Sequence, residues 1–119
     1  QIKKGISGTK EILNYFKSGT SIALMIDQRV SEGIKSLLFK NAALTTTIPA
    51  QFVKKFNCKV VPIYIERENN DKFMLEVMQP INFDNGKTIE NITLELNQLL
   101  EKMIIRNPCQ WIWSHNRWK

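Results

Sequence analysis

Four short stretches of this chain carry residue types able to do chemistry. "MIDQR" sets Asp27, Gln28 and Arg29 directly after the apolar run "SIALMI", and "LTTTIPA" sets Thr45, Thr46 and Thr47 ahead of Pro49. "IYIER" ends on Arg67, and "NPCQWIWSHNRWK" gathers three tryptophans and the only histidine into the last nine residues. A carboxylate where a hydrophobic strand runs out stands where ligands bind in open α/β sheets. Asp27 there can orient a base, bind a donor group or merely cap a turn. His115 is the only side chain whose unperturbed pKa suits general base work near neutral pH. No carboxylate follows it to orient the ring, only Asn116, Arg117, Trp118 and Lys119. We expect it to be structural or to contact a ligand. The threonines can place hydroxyls and N–H groups at a helix N-terminus, where an anion binds; helix capping is the simpler reading.

Trp111 and Trp113 share a face if their segment is extended. The expectation is that the indoles plug the core and anchor the tail. The alternatives are a place at lipid headgroups beside Arg117 and Lys119, or stacking on single-stranded nucleic acid. Cys58 and Cys109 lack the CxxC spacing of a zinc or redox site. They are expected as buried or semi-buried free thiols of an intracellular protein, and no metal or cofactor is expected. Asn91-Ile92-Thr93 matches a glycosylation sequon and is read as chance within a helix. G-x-G-x-x-G, P-loop and G-x-S-x-G patterns are absent, so nucleotide and serine-hydrolase chemistry have no motif support.

These residues must be positioned by 119 residues, one domain's worth of chain. Such a length buries roughly two thirds of the surface its unfolded form exposes. The 43% hydrophobic and 24% charged content is that of a soluble globular domain rather than a disordered one. Seventeen Lys and Arg against eleven Asp and Glu leave a net +6. That sign favours nucleic acid, phosphorylated lipid or acidic carrier proteins without choosing among them. The charge is spread from Lys3 and Lys4 to an acid-free end at Arg106, Arg117 and Lys119, and no run is long enough to be a basic arm. "IALMI" and "VVPIYI" fall far short of the ~20 residues that span a bilayer, so no transmembrane segment or signal peptide is expected. Gln1 stands where an initiator methionine would, and "QIKKGISGTK" reads as mid-domain sequence, so an upstream segment is expected.

The element signals run in order along the chain. "SGTKEILNYFKSG" predicts a short amphipathic helix with Ser7 or Thr9 as cap, Ile12, Leu13 and Phe16 on one face, and Gly19 as stop. "SIALMI" predicts a strand buried on both faces of a parallel sheet. Residues 29–46 show no sustained period and read as an irregular loop with an apolar patch at Leu37, Leu38 and Phe39. "TTIPAQFVKKFN" predicts a helix with Pro49 in its first turn and Asn57 at its end. "VPIYIERE" and "KFMLEVM" read as a hairpin around Asn69, Asn70 and Asp71, with Pro62 early in its strand. From Thr88, Ile89, Ile92, Leu96, Leu99, Leu100, Met103 and Ile104 recur at three and four until Pro108, which predicts a long helix packed on the sheet. The order implies a mixed α/β domain with at least one βαβ crossover.

Taken together, "GISGTKEILNYFKSGTSIALMIDQRVSEGI", "AALTTTIPAQFVKKFNCKVVPIYIER" and "PCQWIWSHNRWK" resemble the lipid A late acyltransferases, the lauroyl or myristoyl acyltransferases of the lysophospholipid acyltransferase superfamily. The match covers nearly the whole chain, in the right order. The resemblance implies a mixed sheet with flanking helices, the C-terminal part of a glycerol-3-phosphate acyltransferase-like domain. It also implies an enzyme at the cytoplasmic face of a Gram-negative inner membrane, moving a fatty acyl chain from acyl carrier protein onto a hydroxyl of a Kdo-bearing lipid A precursor.

In such families an H-x-x-x-x-D/E pair supplies the base, and neighbouring donors stabilise the oxyanion. This chain departs there, since His115 has no acid at that spacing. The pair, a membrane anchor and an arginine block are expected upstream. Residues 1–119 are then a single-domain fragment, inactive alone. By the same resemblance Asp27 matches the acidic residue of the third motif block, with Gln28 beside it, both lining the acceptor or thioester site. Val61-Pro62-Ile63 resembles the fourth block, which shapes the pocket. Arg29 and Arg67 are candidates for phosphate or sugar-acid contacts, and the indoles are expected to anchor the tail on the domain with Arg117 and Lys119 near the lipid-facing side.

This reading carries an acyl-acyl carrier protein donor, a lipid A precursor acceptor and a membrane surface as partners, and no nucleic acid. The alternative is a basic α/β module that binds lipid or single-stranded nucleic acid without catalysis. A third reading is a catalytically dead remnant that binds lipid or carrier protein.

Overall fold

The computed structural model describes residues 6–69 and 71–118, with side chains from 8 onward. Lys3, Lys4, Asn70, Lys119 and the side chain of Ser7 lie outside the described residues. The content is mixed α/β as expected, with three α-helices and two antiparallel hairpins among the described residues. The expected βαβ crossover does not form there, because every ladder joins strands adjacent in sequence.

Helix α1 (Ile6–Lys17) keeps Ile12, Leu13 and Phe16 half-buried on one side. It begins at Ile6, so Ser7 and Thr9 fall inside it rather than capping it. Gly19 ends it at φ 88, where Gly19 N–H donates to Phe16 O and Thr20 N–H to Tyr15 O, both at 3.0 Å. The Phe16 ring meets Phe52 and Phe56 of the next helix at 5.0 Å between centroids, which seats α1.

The expected "SIALMI" strand does not form. Ile22 and Ile26 turn inward, while Leu24 and Met25 are 39% and 78% exposed. An apolar strand of that kind needs paired neighbours on both edges and cover on both faces. No described strand pairs with it.

Residues 29–46 are more ordered than expected. β1 (Ile34–Leu38) and β2 (Asn41–Thr45) pair from Ile34↔Thr45 to Leu38↔Asn41. Phe39 and Lys40 make the turn at φ 50 and φ 64, a two-residue hairpin loop of the type that favours Asn-Gly. Neither residue announces such a turn. Left-handed backbone costs a side-chain-bearing residue roughly 1–2 kcal/mol, and Glu101 compensates by accepting the Phe39 N–H at 2.6 Å. Gly33 has its own reason: a Cβ there would sit 2.4 Å from the Thr45 carbonyl oxygen.

Helix α2 (Ile48–Phe56) follows, with Pro in its first turn and Asn57 at φ 49 donating to Val53 O at 2.8 Å. Its threonines work locally, Thr46 Oγ1 accepting the Ile48 N–H at 3.3 Å and Thr47 Oγ1 accepting from Gln51 at 2.8 Å. β3 (Ile63–Arg67) and β4 (Phe73–Val77) form the expected hairpin, with Pro62 just before it. This hairpin is oriented unusually. Ile65, Phe73, Leu75 and Val77 are 57–60% exposed, while Tyr64, Glu66, Met74 and Glu76 face inward.

Helix α3 (Ile89–Arg106) starts where Thr88 Oγ1 accepts the Asn91 N–H at 3.2 Å and stops before Pro108. Asn91-Ile92-Thr93 lies in this helix, as expected, with Thr93 buried. Its stripe joins two clusters: Ile92 and Leu96 pack with Ala50, Val53 and Phe83, while Leu100 and Ile104 pack with Leu38 and Ala43. The i, i+4 spacing puts all four on one face.

The tail makes two 3₁₀ turns, Pro108–Gln110 and Trp113–His115, so Trp111 and Trp113 do not share a strand face as the extended reading required. They still meet, at 4.6 Å between centroids and 87°. Phe39 sits among Trp111, Trp113 and Trp118 at 6.0–6.5 Å, and Trp118 Nε1–H donates to Leu38 O at 3.0 Å. Trp111 and Trp118 pack on the second cluster, and Trp113 is 49% exposed. Two indoles anchor the tail, as expected.

Two outcomes follow from this packing. In urea melts, Trp111→Ala should cost about 3 kcal/mol and Trp113→Ala about half of that; equal losses would contradict the division of labour. Lys40→Gly should raise stability by about 1 kcal/mol through relief of its left-handed backbone, seen as a higher urea midpoint with unchanged slope.

Candidate functional site

The tail was expected to present Arg117 to lipid. Instead Arg117 is 1% exposed, which corrects that assignment. Its Nη1 donates to the Leu44 carbonyl and its Nη2 donates to Thr45 Oγ1 at 2.9 Å. A charge out of water is tolerated only where such bonds replace hydration. The same Thr45 oxygen accepts from Asn97 Nδ2 at 3.2 Å, donates to Ala43 O at 3.1 Å, and so ties β2, α3 and the tail together. Asn97 Nδ2 also reaches Leu37 O at 3.0 Å. Arg117 Nε and Asn97 Oδ1, a donor and an acceptor, have no protein partner. Burial pulls the Arg117 guanidinium below its ordinary pKa, and the nearby Asp27 charge pushes it back up. The fork remains cationic near neutral pH.

Asp27, half-buried, thus stands within electrostatic reach of the tail. Two residues on, the Arg29 N–H donates to His115 Nε2 at 3.4 Å. That bond uses the lone pair a general base would need and places the neutral ring's proton on Nδ1, in keeping with a structural His115. Gln28 is exposed, with Nε2 3.8 Å from Met25 Sδ, and the Arg29 side chain is exposed as well. The structure therefore sets the Arg29 backbone against His115, while Asp27 and Arg117 form neither a hydrogen bond nor an ion pair with each other.

Arg67 belongs to a different place. Its guanidinium lies over the Phe73 ring at 5.1 Å, and its backbone N–H and carbonyl both pair with the Gln110 side chain at 2.8 Å. Next to it Asn107 Nδ2 donates to Glu66 at 2.7 Å, and Arg106 pairs with Glu76 at 2.7 Å over the Tyr64 ring. No described contact links Arg67 to Asp27. A shallow groove along α3, lined by Ile81, Phe83, Leu96 and Leu99, contains neither.

Sequence reasoning missed Asn97 and misplaced Arg117. Asn97 could have been found, since Thr93, Asn97, Leu100 and Ile104 recur at four, three and four on the buried side of α3. A polar residue on such an arc needs a partner across the interface. Thr45 was grouped with the capping threonines, although it ends β2 and points inward.

Among the described residues no three His, Cys, Asp or Glu side chains gather as a metal site would need, and no helix is long and apolar enough to cross a membrane. Both cysteines are free, as expected, but only Cys58 is half-buried; Cys109 is exposed, which corrects the reading of two semi-buried thiols. Burial pushes the Cys58 thiol up from its ordinary value, leaving less thiolate at a given pH. Iodoacetamide at pH 8 should therefore modify Cys109 faster than Cys58, as read by peptide mass mapping; the reverse order would contradict the placement of Cys58.

Comparison with curated proteins gives no match. The family model for bacterial lipid A biosynthesis acyltransferases, by contrast, matches residues 2–119. That span takes in the Asp27–Arg29 segment, the β2–α2 threonines and the tail whose His115 and Arg117 bond to Arg29 and Thr45. The chain belongs to the bacterial lipid A biosynthesis acyltransferase family.

Proposed function

We propose that this chain forms the acceptor side of an acyltransferase that moves a fatty acyl group from acyl carrier protein onto a hydroxyl of a Kdo-bearing lipid A precursor, at the cytoplasmic face of the inner membrane. The family supports acyl transfer in lipid A biosynthesis; donor, acceptor and location are our reading. One observation carries the site assignment: the tail pins the segment Asp27–Arg29 through His115 while leaving the Gln28 and Arg29 side chains exposed. In that reading Asp27 and Gln28 line the acceptor hydroxyl or thioester, Arg29 takes a phosphate or sugar acid, and Arg67 offers a second anion contact from the β3 end.

The chemistry is displacement at a carbonyl. The acceptor oxygen attacks the thioester carbon as a base removes its proton; the tetrahedral oxyanion then expels the carrier thiolate, which takes up a proton. The base in this reading is the histidine of an H-x-x-x-x-D/E pair, which these 119 residues do not contain. They are proposed to supply positioning and charge, and to be inactive alone.

The test is acyl transfer from acyl-acyl carrier protein to the Kdo-bearing precursor, followed by mass spectrometry. At native length the protein should add one acyl group, Asp27→Asn should lower kcat/KM by about tenfold to a hundredfold, and the 119 residues alone should give no product. Wild-type turnover in Asp27→Asn would remove Asp27 from the site, and product from the 119 residues alone would sink the missing-base reading.

A further inference from the structure

We propose that the outward face of the β3–β4 hairpin is a self-association surface that seats the same face of a second copy of this chain. The proposal stands apart from the acyl-transfer reading. The register sets Ile63 opposite Val77, Ile65 opposite Leu75 and Arg67 opposite Phe73, and alternation puts these side chains on one face. Val61 continues the row just outside the ladder, and the six apolar members are 44–60% exposed. A strand pair solvated on one side ordinarily turns its apolar residues inward and its polar ones out. This hairpin does the reverse.

Contacts on the opposite face fix that orientation. Glu76 pairs with Arg106 at 2.7 Å, Glu66 accepts from Asn107 Nδ2 at 2.7 Å, and the Arg106 guanidinium lies 4.2 Å from the centre of the Tyr64 ring. From the tail, Gln110 holds the Arg67 backbone. Turning the apolar side inward would give up all of these contacts.

The face is of a size and kind to match itself. Six apolar side chains at that exposure offer roughly 500 Å² on one copy, near the upper end of what a monomer leaves uncovered. Two copies stacked would bury about 1,000 Å², the size at which a specific interface begins. Arg67 is the one charge on the face among the described residues, and it stands at one end with its guanidinium over Phe73 at 5.1 Å. In a two-fold stack with strands antiparallel, the Arg67 end of each copy covers the Ile63 end of the other. Strand rise then keeps the two cations about 13 Å apart, beyond the ~8 Å screening length of physiological salt.

A bilayer is the other apolar partner to weigh. The outer edge of β4 has no strand beside it among the described residues, and sinking that edge into hydrocarbon would strand its peptide groups. A second hairpin covers the face and leaves the edge in water.

The experiment is sedimentation equilibrium of this chain, which carries its own buried core, and of the native-length protein. The weight-average mass of the chain should rise from 13.9 kDa towards twice that across the micromolar range, and the native-length protein should double likewise. Ile65→Glu should weaken association by about a hundredfold or more, and Met25→Ser, which removes an exposed apolar side chain from the loop before β1, should leave it unchanged. A mass that stays at the monomer value, or association indifferent to Ile65→Glu, overturns the proposal. So does growth beyond the dimer, which would point to strand addition at the edges. A native-length protein that stays monomeric while the 119 residues associate would give the face to another segment of the same polypeptide and reject the second copy.

Two further readouts do not rely on a variant that folds. In a mixture of isotope-labelled and unlabelled copies, intermolecular NOEs should connect the methyls of Ile63, Ile65, Leu75 and Val77; NOEs confined to another part of the surface would sink the assignment. Flotation with phosphatidylglycerol vesicles should leave the chain in the soluble fraction, whereas vesicle binding by a chain that shows no dimer would hand the face to lipid. Turnover enters none of these measurements, so their failure leaves the acyl-transfer reading standing.

Discussion

A single hydroxyl, Thr45 Oγ1, is the point on which three separate parts of this molecule converge. It accepts from Asn97 on α3 and from Arg117 in the tail while its own proton goes to Ala43 in the hairpin. Each partner is buried, so each would pay heavily in lost hydration if the others moved away. The hydroxyl is therefore a constraint on register. β2 cannot slide by one residue without turning Thr45 to solvent and stranding a cation and an amide in the interior. Gly33 enforces the same register from β1's side, because only a bare backbone fits against the Thr45 carbonyl.

Much of the fold was legible where a local rule governs. α3 was readable because its apolar period spans five turns with a threonine at one end and a proline at the other. α2 and the β3–β4 hairpin were readable for similar reasons of caps and turn residues. The β1–β2 hairpin was not, because Phe39-Lys40 adopts a conformation that sequence normally signals with Asn or Gly, and what permits it is a contact from Glu101, 62 residues away. "SIALMI" failed in the opposite sense. Its composition reports that it is apolar, which is correct, but pairing is a property of neighbours, and none of the described strands lies beside it.

The candidate site divides along the same line. Asp27, Gln28 and Arg29 were visible as a polar cluster at the end of an apolar run. That His115 would meet the Arg29 backbone and Arg117 would turn into β2 was not visible, since a tail rich in Lys, Arg and Trp reads equally well as a membrane foot. Burial decides the matter for Arg117, and ring packing decides it for Trp111 and Trp118. Those two rings pack on Phe39 and on each other, while Trp113 stays half exposed. A similar economy holds for His115, whose Nε2 lone pair is committed to the Arg29 backbone.

Gln110 shows what a side chain can do for a sheet margin. Its amide offers a donor and an acceptor at the spacing of a peptide group, and both are matched to the Arg67 backbone. In effect the tail supplies one residue's worth of a neighbouring strand. A hairpin whose outward face is apolar is the kind of element on which foreign strands add and fibrils begin. With the Arg67 N–H and carbonyl already taken by Gln110, that end of β3 offers an incoming strand no free peptide group at Arg67.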